Sequence, residues 1–333
     1  MNCAEQNAPD ADATGTPATS HVAPCAGAPV AVVDVGSNTL KVLVAAARLP
    51  LLPLADAHED TRLSPRHDEP PDRLSPRAIR DGTDAIARLL AFARAHAAER
   101  IRIVATSAVR DAANGTDLRD AVHAKTGHTL EILDGTDEAR GIAAGVATDP
   151  ALAGIPALRI VDIGGGSLEY IFRDATGVRL AESHPLGAAR LTRRFITDPT
   201  APIPASELET LAQHVRDTLT RPMRDGTGDP AAPLVGCGGV FTVCRAIFAA
   251  GRGQDFEQSP PLLSVPEMRQ LRDRLAALPQ QERVKTPALP PTRADIYPAA
   301  LTTLLVVAEL AAVSQFTHTR RSLRHGIAAA MVA

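Results

Sequence analysis

The sequence predicts an α/β fold made of two similar halves that face one interdomain cleft. Three observations predict it. Short apolar runs alternate with helical patterns along the chain. A unit of strand, glycine turn and strand occurs twice. The 333 residues suit about two domains of ordinary size. Hydrophobic residues make up 45% and charged residues 22%, which excludes a wholly disordered or collagen-like chain. With no Trp, 2 Tyr and 7 Phe, the core has to be built mainly from Ala, Val, Leu and Ile.

The elements follow in order. Residues 1–28 are rich in Ala, Pro, Thr, Asp and Gly without apolar periodicity, and are expected to form a flexible tail that cannot offset its ordering entropy. The run Val30–Val35 reads as a buried strand, Gly36-Ser37-Asn38 as its turn, and Thr39–Ala47 as the returning strand. Residues 48–76 are polar and punctuated by prolines, so an irregular connection with at most a short strand is expected. Ser75 then caps a helix with Pro76 in its first position and Ile79, Ala85, Ile86, Leu89, Leu90 and Phe92 on its apolar face. Strand Ile101–Ala105, a short helix around Val109, strand Leu130–Leu133 and a helix ending near Ala147 continue the alternation.

A second start comes at Arg159, where strand Ile160–Ile163 runs into Gly164-Gly165-Gly166-Ser167 and strand Leu168–Arg173. Without gaps, residues Val33 to Lys41 match Val161 to Glu169, an offset of 128 residues. That period is far too long for a solenoid and marks a domain-length repeat. Domains are expected at 29–141 and 142–333, each opening on a hairpin whose tip carries Asp, Gly and a hydroxyl or amide, with the cleft between the tips.

The charge balance narrows the partners. The 35 basic and 38 acidic side chains give a net charge of -3, which argues against a protein that coats nucleic acid. Four cysteines, Cys3, Cys25, Cys237 and Cys244, show no metal-ligand or disulfide-framework spacing and read as free thiols in a reducing cytosol. No run approaches about eighteen apolar residues, and no signal core opens the chain, so neither a membrane span nor export is expected.

Glycine-rich hairpin tips hold backbone N–H groups in a concave nest that accepts phosphate. Ser37, Asn38 and Ser167 add side-chain donors beside Gly36, Gly164, Gly165 and Gly166. Asp34 and Asp162, at the ends of the two apolar strands, are hard oxygen ligands suited to Mg²⁺ directly or through water, and Glu169 joins them from the returning strand. A third cluster, Gly238-Gly239 after Gly236-Cys237, opens a helix whose N-terminus either binds an anion or simply packs closely on its strand. Asp137 and Glu138 in the first turn of a helix either complement its dipole or orient a water. Arg110 is either an exposed helical arginine or a bidentate phosphate clamp.

Five segments in order carry a resemblance. They are Val33-Asp34-Val35-Gly36-Ser37-Asn38-Thr39, Ala105-Thr106-Ser107-Ala108-Val109-Arg110, Gly135-Thr136-Asp137-Glu138-Ala139-Arg140, residues Val161 to Glu169, and Arg293-Ala294-Asp295-Ile296-Tyr297-Pro298-Ala299. From about Val30 to Val332 the chain resembles the exopolyphosphatase and guanosine pentaphosphate phosphatase (Ppx/GppA) family in its short two-domain form, within the actin-like and sugar-kinase-like superfamily. The resemblance implies two actin-like (ribonuclease H-like) domains. It implies Glu138 as general base, Asp162 and Glu169 as metal and phosphate ligands, glycine loops that hold phosphate, and Arg110 as clamp.

The implied activity is cytoplasmic, Mg²⁺-dependent hydrolysis of inorganic polyphosphate or guanosine pentaphosphate by Glu138-activated water, with no covalent enzyme intermediate. A homodimer is left open. Against the family pattern, Val240 stands where a Thr is usual, Asp134 for a Ser, Asp137 for a Glu, and Arg324-His325-Gly326 for Arg-Glu-Gly. The chain lacks the further C-terminal helical domains of longer members, which favours short chains or a nucleotide. Two other readings stay open: a non-hydrolysing polyphosphate or alarmone sensor, and an ATP-dependent member of the superfamily. Two arginine groups, Arg190, Arg193 and Arg194 or Arg320, Arg321 and Arg324, are candidates for a basic groove.

Overall fold

The computed structural model describes residues 27–65, 69–225 and 229–333. Cys3, Cys25 and nearly all of the expected tail lie outside the described residues. Strands β1 (Val30–Val35), β2 (Leu40–Ala45) and β3 (Pro53–Glu59) form an antiparallel meander. Helix α1 (Pro76–Ala95) leads to β4 (Arg100–Ala105), the short α2 (Ser107–Arg110), α3 (Gly115–Thr126), β5 (Leu130–Ile132) and α4 (Gly135–Val146). The sheet order is β3-β2-β1-β4-β5, with β4 parallel to β1 and β5 parallel to β4.

The second half begins with the meander β6 (Leu158–Ile163), β7 (Leu168–Asp174) and β8 (Gly177–His184). Then come α5 (Ala188–Phe195), α6 (Ala205–Asp225), β9 (Leu234–Cys237) and α7 (Gly238–Gly251). The chain finishes through β10 (Leu262–Ser264), α8 (Val265–Ala277), α9 (Gln280–Arg283), α10 (Tyr297–Leu310), β11 (Gln315–His318) and α11 (Leu323–Val332). The order β10-β11-β9-β6-β7-β8 repeats the first sheet strand for strand and direction for direction, with β10 added at one edge. The sequence repeat is thus a repeat of a whole sheet.

Local chemistry explains the agreements and the differences. Ser75 caps α1 by accepting the Ala78 amide at 3.2 Å, as expected, with Pro76 in the first turn. The connection after β2 holds more order than expected: β3 is a seven-residue strand. It lies at the sheet edge with Pro53 as its first residue, where proline's missing N–H costs no ladder bond. Helix α3 carries little apolar signal, because only Leu118 and Val122, one turn apart, are its buried aliphatic contacts.

Helices α1 and α3 cover one face of the first sheet. A separate core lies between the two sheets, where Ala139, Ile142, Ala143 and Val146 of α4 meet Leu323, Ile327 and Ala328 of α11. These two helices bind the halves together: α4 also contacts β7 and β8, while α11 contacts β1 and β2. The division expected after Gly141 passes through α4. Among the described residues no helix is long and apolar enough to cross a membrane.

Candidate active site

The repeated hairpins place their turns tip to tip. A Cβ on Gly165 would lie 2.6 Å from Ser37 Cβ and 2.9 Å from Asn38 Nδ2, so only glycine permits this approach. Ser37 Oγ sits 3.4 Å from Ser107 Oγ, and Asn38 Oδ1 accepts from Ser64 Oγ at 2.8 Å. At the second tip the amides of Ala188 and Ala189 donate to the carbonyls of Gly164 and Gly165, both at 2.9 Å. Arg190 Nε donates to Gly166 O at 2.8 Å. Those carbonyls are occupied by α5, whereas the amides of Gly165 and Gly166 have no acceptor among the described residues.

The cleft, about 830 Å³ and open to solvent, is walled by Asp34, Gly36, Ser37, Asn38, Glu138, Asp162, Gly164, Gly165, Ser167, Glu169, Gly238 and Gly239. Two expected site residues sit apart from this wall. Gly166 faces Ser107 and a second cavity behind the tips. Arg110 reaches the cleft only through the base candidate, its Nη1 donating to Glu138 Oε2 at 2.7 Å and to Leu133 O at 3.1 Å.

Cross-strand register concentrates charge here. Asp34 stands opposite Lys41, and Asp162 opposite Glu169, at equivalent positions of the repeat. Burial raises the carboxyls of Asp34 and Asp162 above the usual range. Glu169 is raised well above it by burial and by the charges of Glu138 and Asp162, although Ser183 Oγ donates to it at 2.8 Å. Burial also pushes Glu138 up to about 7, against the opposing pull of Arg110. Asp134 supplies the cap that orients this helix, accepting the Asp137 amide at 2.8 Å, so an acid does there the work of a serine.

Four carboxylates facing one cleft, Glu138 and Glu169 buried and Asp34 and Asp162 half-buried, make a site that wants positive charge. Among the described residues no three acidic, His or Cys side chains converge into a closed metal cage. Mg²⁺ does not need one, since it keeps several waters and binds through one or two carboxylates plus substrate phosphate. The donor set of Asp34, Asp162 and Glu169 fits that mode.

Gly238 adopts a left-handed φ of +82°, and a Cβ on it would stand 2.0 Å from Asp162 Oδ1. The close approach brings the N-terminus of α7 onto the cleft wall beside this carboxylate, while Gly236 is packed under the Phe241 ring. The close-packing reading of the third glycine cluster therefore holds at Gly236, while Gly238 and Gly239 stand on the cleft wall, where the anion reading requires them.

Sequence reasoning left two cations of the cleft without a role. Lys41 and Arg293 line the cleft, and Arg293 Nη2 donates to Thr39 Oγ1 at 2.9 Å across the two halves. Burial, and then the charge of Arg324, lowers the Lys41 amine to about 8. Lys41 was signalled by the repeat, which pairs it with Glu169. Arg320 and Arg324 line an adjoining cavity, whereas Arg190 and Arg193 line the one behind the tips, and Arg194 is exposed beside the Phe195 ring.

The sequence profile of the Ppx/GppA phosphatase family matches residues 42–333. The chain is 31% identical to Exopolyphosphatase 2 of Mycobacterium tuberculosis over 326 residues, covering 90% of this chain and 97% of that one. It is 25% identical to the guanosine-5'-triphosphate,3'-diphosphate pyrophosphatase of Vibrio vulnificus, covering 91% of this chain but 59% of that longer protein. The crystal structure of an exopolyphosphatase from Cytophaga hutchinsonii superposes with a TM-score of 0.81 at 24% identity, over 91% of this chain and 97% of that one. The Aquifex aeolicus family member gives 0.74 at 23% identity, over 91% and 97%. These two likenesses concern the fold alone. From the profile match and the relative aligned over 90% of this chain, the chain belongs to the Ppx/GppA phosphatase family of phosphoanhydride hydrolases.

Proposed function

We propose that this chain releases terminal orthophosphate from inorganic polyphosphate, or the 5'-phosphate of guanosine pentaphosphate, by attack of a water that Glu138 activates. The observation that carries the reading is the state of Glu138. It is 6% exposed, faces the cleft from the first turn of α4, and is raised to about 7, where a carboxylate is a competent base at neutral pH. The substrates come from the names of the relatives, an exopolyphosphatase and a guanosine-5'-triphosphate,3'-diphosphate pyrophosphatase.

In this reading the terminal phosphoryl group lies between the hairpin tips, where the amide of Gly165 and the side chains of Ser37, Asn38 and Ser167 surround its oxygens. Glu138 takes the proton of the attacking water, and Arg110 holds the carboxylate in place. Asp34, Asp162 and Glu169 would hold Mg²⁺, which when bound supplies positive charge against the phosphoryl oxygens. Phosphate release from polyphosphate, guanosine pentaphosphate and ATP tests the reading. We expect release from at least one of the first two, little from ATP, and a loss of about a thousandfold in Glu138→Gln with binding retained. Activity near wild type in that variant overturns the assignment of the base.

A further inference from the structure

A second cavity, about 760 Å³ and open to solvent, lies behind the hairpin tips. It shares Ser37, Ser107 and Gly165 with the cleft, whereas Asp34, Glu138, Asp162 and Glu169 belong to the cleft alone. The shared residues form a partition built from both halves. Ser37 and Ser107 come from the first half, with their hydroxyl oxygens 3.4 Å apart. Gly165 and Gly166 come from the second. A Cβ would stand 2.6 Å from Ser37 Cβ at Gly165, and 2.5 Å from Ser107 Oγ at Gly166. Among the described residues no hydrogen bond joins these serines to these glycines, so the partition is a contact of surfaces and parts when the halves separate.

Beyond the partition the charge changes sign. Arg73, Arg190 and Arg193 line the rear cavity against Asp72 and Asp111, where the cleft gathers acids. Arg190 is already engaged: its Nε donates to Gly166 O at 2.8 Å, and its Nη2 pairs with Asp111 of the other half. Asp111 is exposed, and a pair of that kind holds weakly, so this latch across the halves opens at little cost. Arg193 is free. Half-buried on α5, it forms no ion pair among the described residues. Burial, and then the charge of Arg190, work against its protonated form, with Asp72 pulling the other way. An anion in the cavity relieves both guanidiniums, and a guanidinium suits phosphate oxygens in particular, which it can hold two at a time.

We propose that the rear cavity is an orthophosphate site and the route by which the product leaves, with Arg193 as its principal ligand and Arg190 as the latch. The inference rests on the hydrolase reading above and adds the step that follows cleavage. In that reading the cleaved phosphoryl group lies against the tips, and in-line displacement keeps the remainder of the substrate on the side opposite the attacking water. Orthophosphate is then enclosed by the remainder, the acidic wall and the tips. Passage between the tips frees it while the remainder stays bound, and leads an anion away from carboxylates toward arginine.

The test measures phosphate release from inorganic polyphosphate at rising concentrations of inorganic phosphate. A product that occupies the rear cavity while substrate fills the cleft lowers kcat and leaves KM nearly unchanged. We expect Arg193→Met to weaken that inhibition about tenfold, and Arg193→Lys, which keeps the charge, to weaken it less. Ala112→Leu narrows the cavity from its wall, and should slow later turnovers relative to the first, read by quenched flow as a burst of phosphate. Inhibition that is purely competitive and indifferent to Arg193 overturns the site, and a missing burst in Ala112→Leu overturns the route. Titration calorimetry with inorganic phosphate reads the site without turnover: the same isotherm for the unmodified and Arg193→Met proteins also rules it out. Failure of the hydrolase reading shows separately, as no phosphate released by the unmodified protein from any phosphoanhydride.

Discussion

Arg110 Nη1 lies 2.7 Å from Glu138 Oε2, and this bond opposes the burial that otherwise keeps the carboxyl protonated. Glu138 serves as a base only when ionised. With its pKa raised to about 7, phosphate release should fall as the pH drops through that region. Arg110 favours the ionised form, so removing it moves the acid limb to higher pH. In Arg110→Met we expect that upward shift in the pH profile of kcat/KM, with a rate at pH 7 lowered about tenfold or more. An acid limb that stays in place would show that the pair is structural only.

Gly238 combines two demands, a left-handed backbone and van der Waals contact with Asp162. Gly238→Ala should meet both, at about 1–2 kcal/mol for the conformation alone, and should displace the carboxylate from the cleft wall. A fall in kcat/KM of about a hundredfold is expected. Gly253 is also left-handed, with φ +63°, but a Cβ there meets nothing within 4 Å. Gly253→Ala should therefore cost a similar strain while kcat/KM stays put, and equal losses in the two variants would refute the link to Asp162.

The halves are also held by Arg62, whose Nη1 lies 2.6 Å from Asp295 Oδ2 with both side chains at most one-fifth exposed. Neither side chain lines the cleft. Asp295→Asn should loosen the approach of the two halves, raising KM for polyphosphate several-fold with kcat nearly unchanged. A double-mutant cycle with Arg62→Met should give a coupling of about 1 kcal/mol or more, above the usual exposed pair. Additive effects in that cycle would remove the pair from any role in closure.

Much of this was legible in the sequence where local chemistry decides the outcome. The Asp and glycine pattern of Asp34–Asn38 and Asp162–Ser167 announced two hairpins, and the 128-residue offset proved to relate two sheets of the same strand order. Ser75 signalled a helix start because capping is read within three residues. What stayed hidden depends on contacts far apart in the chain. Arg324 lies 283 positions beyond Lys41, and no periodicity says that both face one cavity. The edge strand β3 was hidden by its proline and polar residues: its positions alternate between half-buried and exposed, and none is fully buried. Helix α4 looked like the end of one domain, yet its apolar stripe serves a layer shared by both sheets.

That shared layer yields the sharpest stability prediction. Helices α4 and α11 cross with their backbones in contact: a Cβ on Gly145 would fall 2.0 Å from Ser322 O, and one on Gly326 would fall 2.0 Å from Gly141 O. The obstructing atoms are backbone, so a single methyl has to push one helix away from the other. Gly145→Ala should destabilise the protein by about 3 kcal/mol, in spite of alanine's better helix propensity. Gly251, at the last turn of α7, meets nothing within 4 Å, and Gly251→Ala should instead stabilise by roughly 0.5–1 kcal/mol. Glu138 stands on α4 two turns before Gly145, so displacement of the helix should also lower kcat. Denaturant titration of both variants, with phosphate release measured alongside, checks the sign in each case. A Gly145→Ala protein as stable and active as wild type would mean that the crossing tolerates a wider separation and that the base is positioned by the first turn of α4 alone.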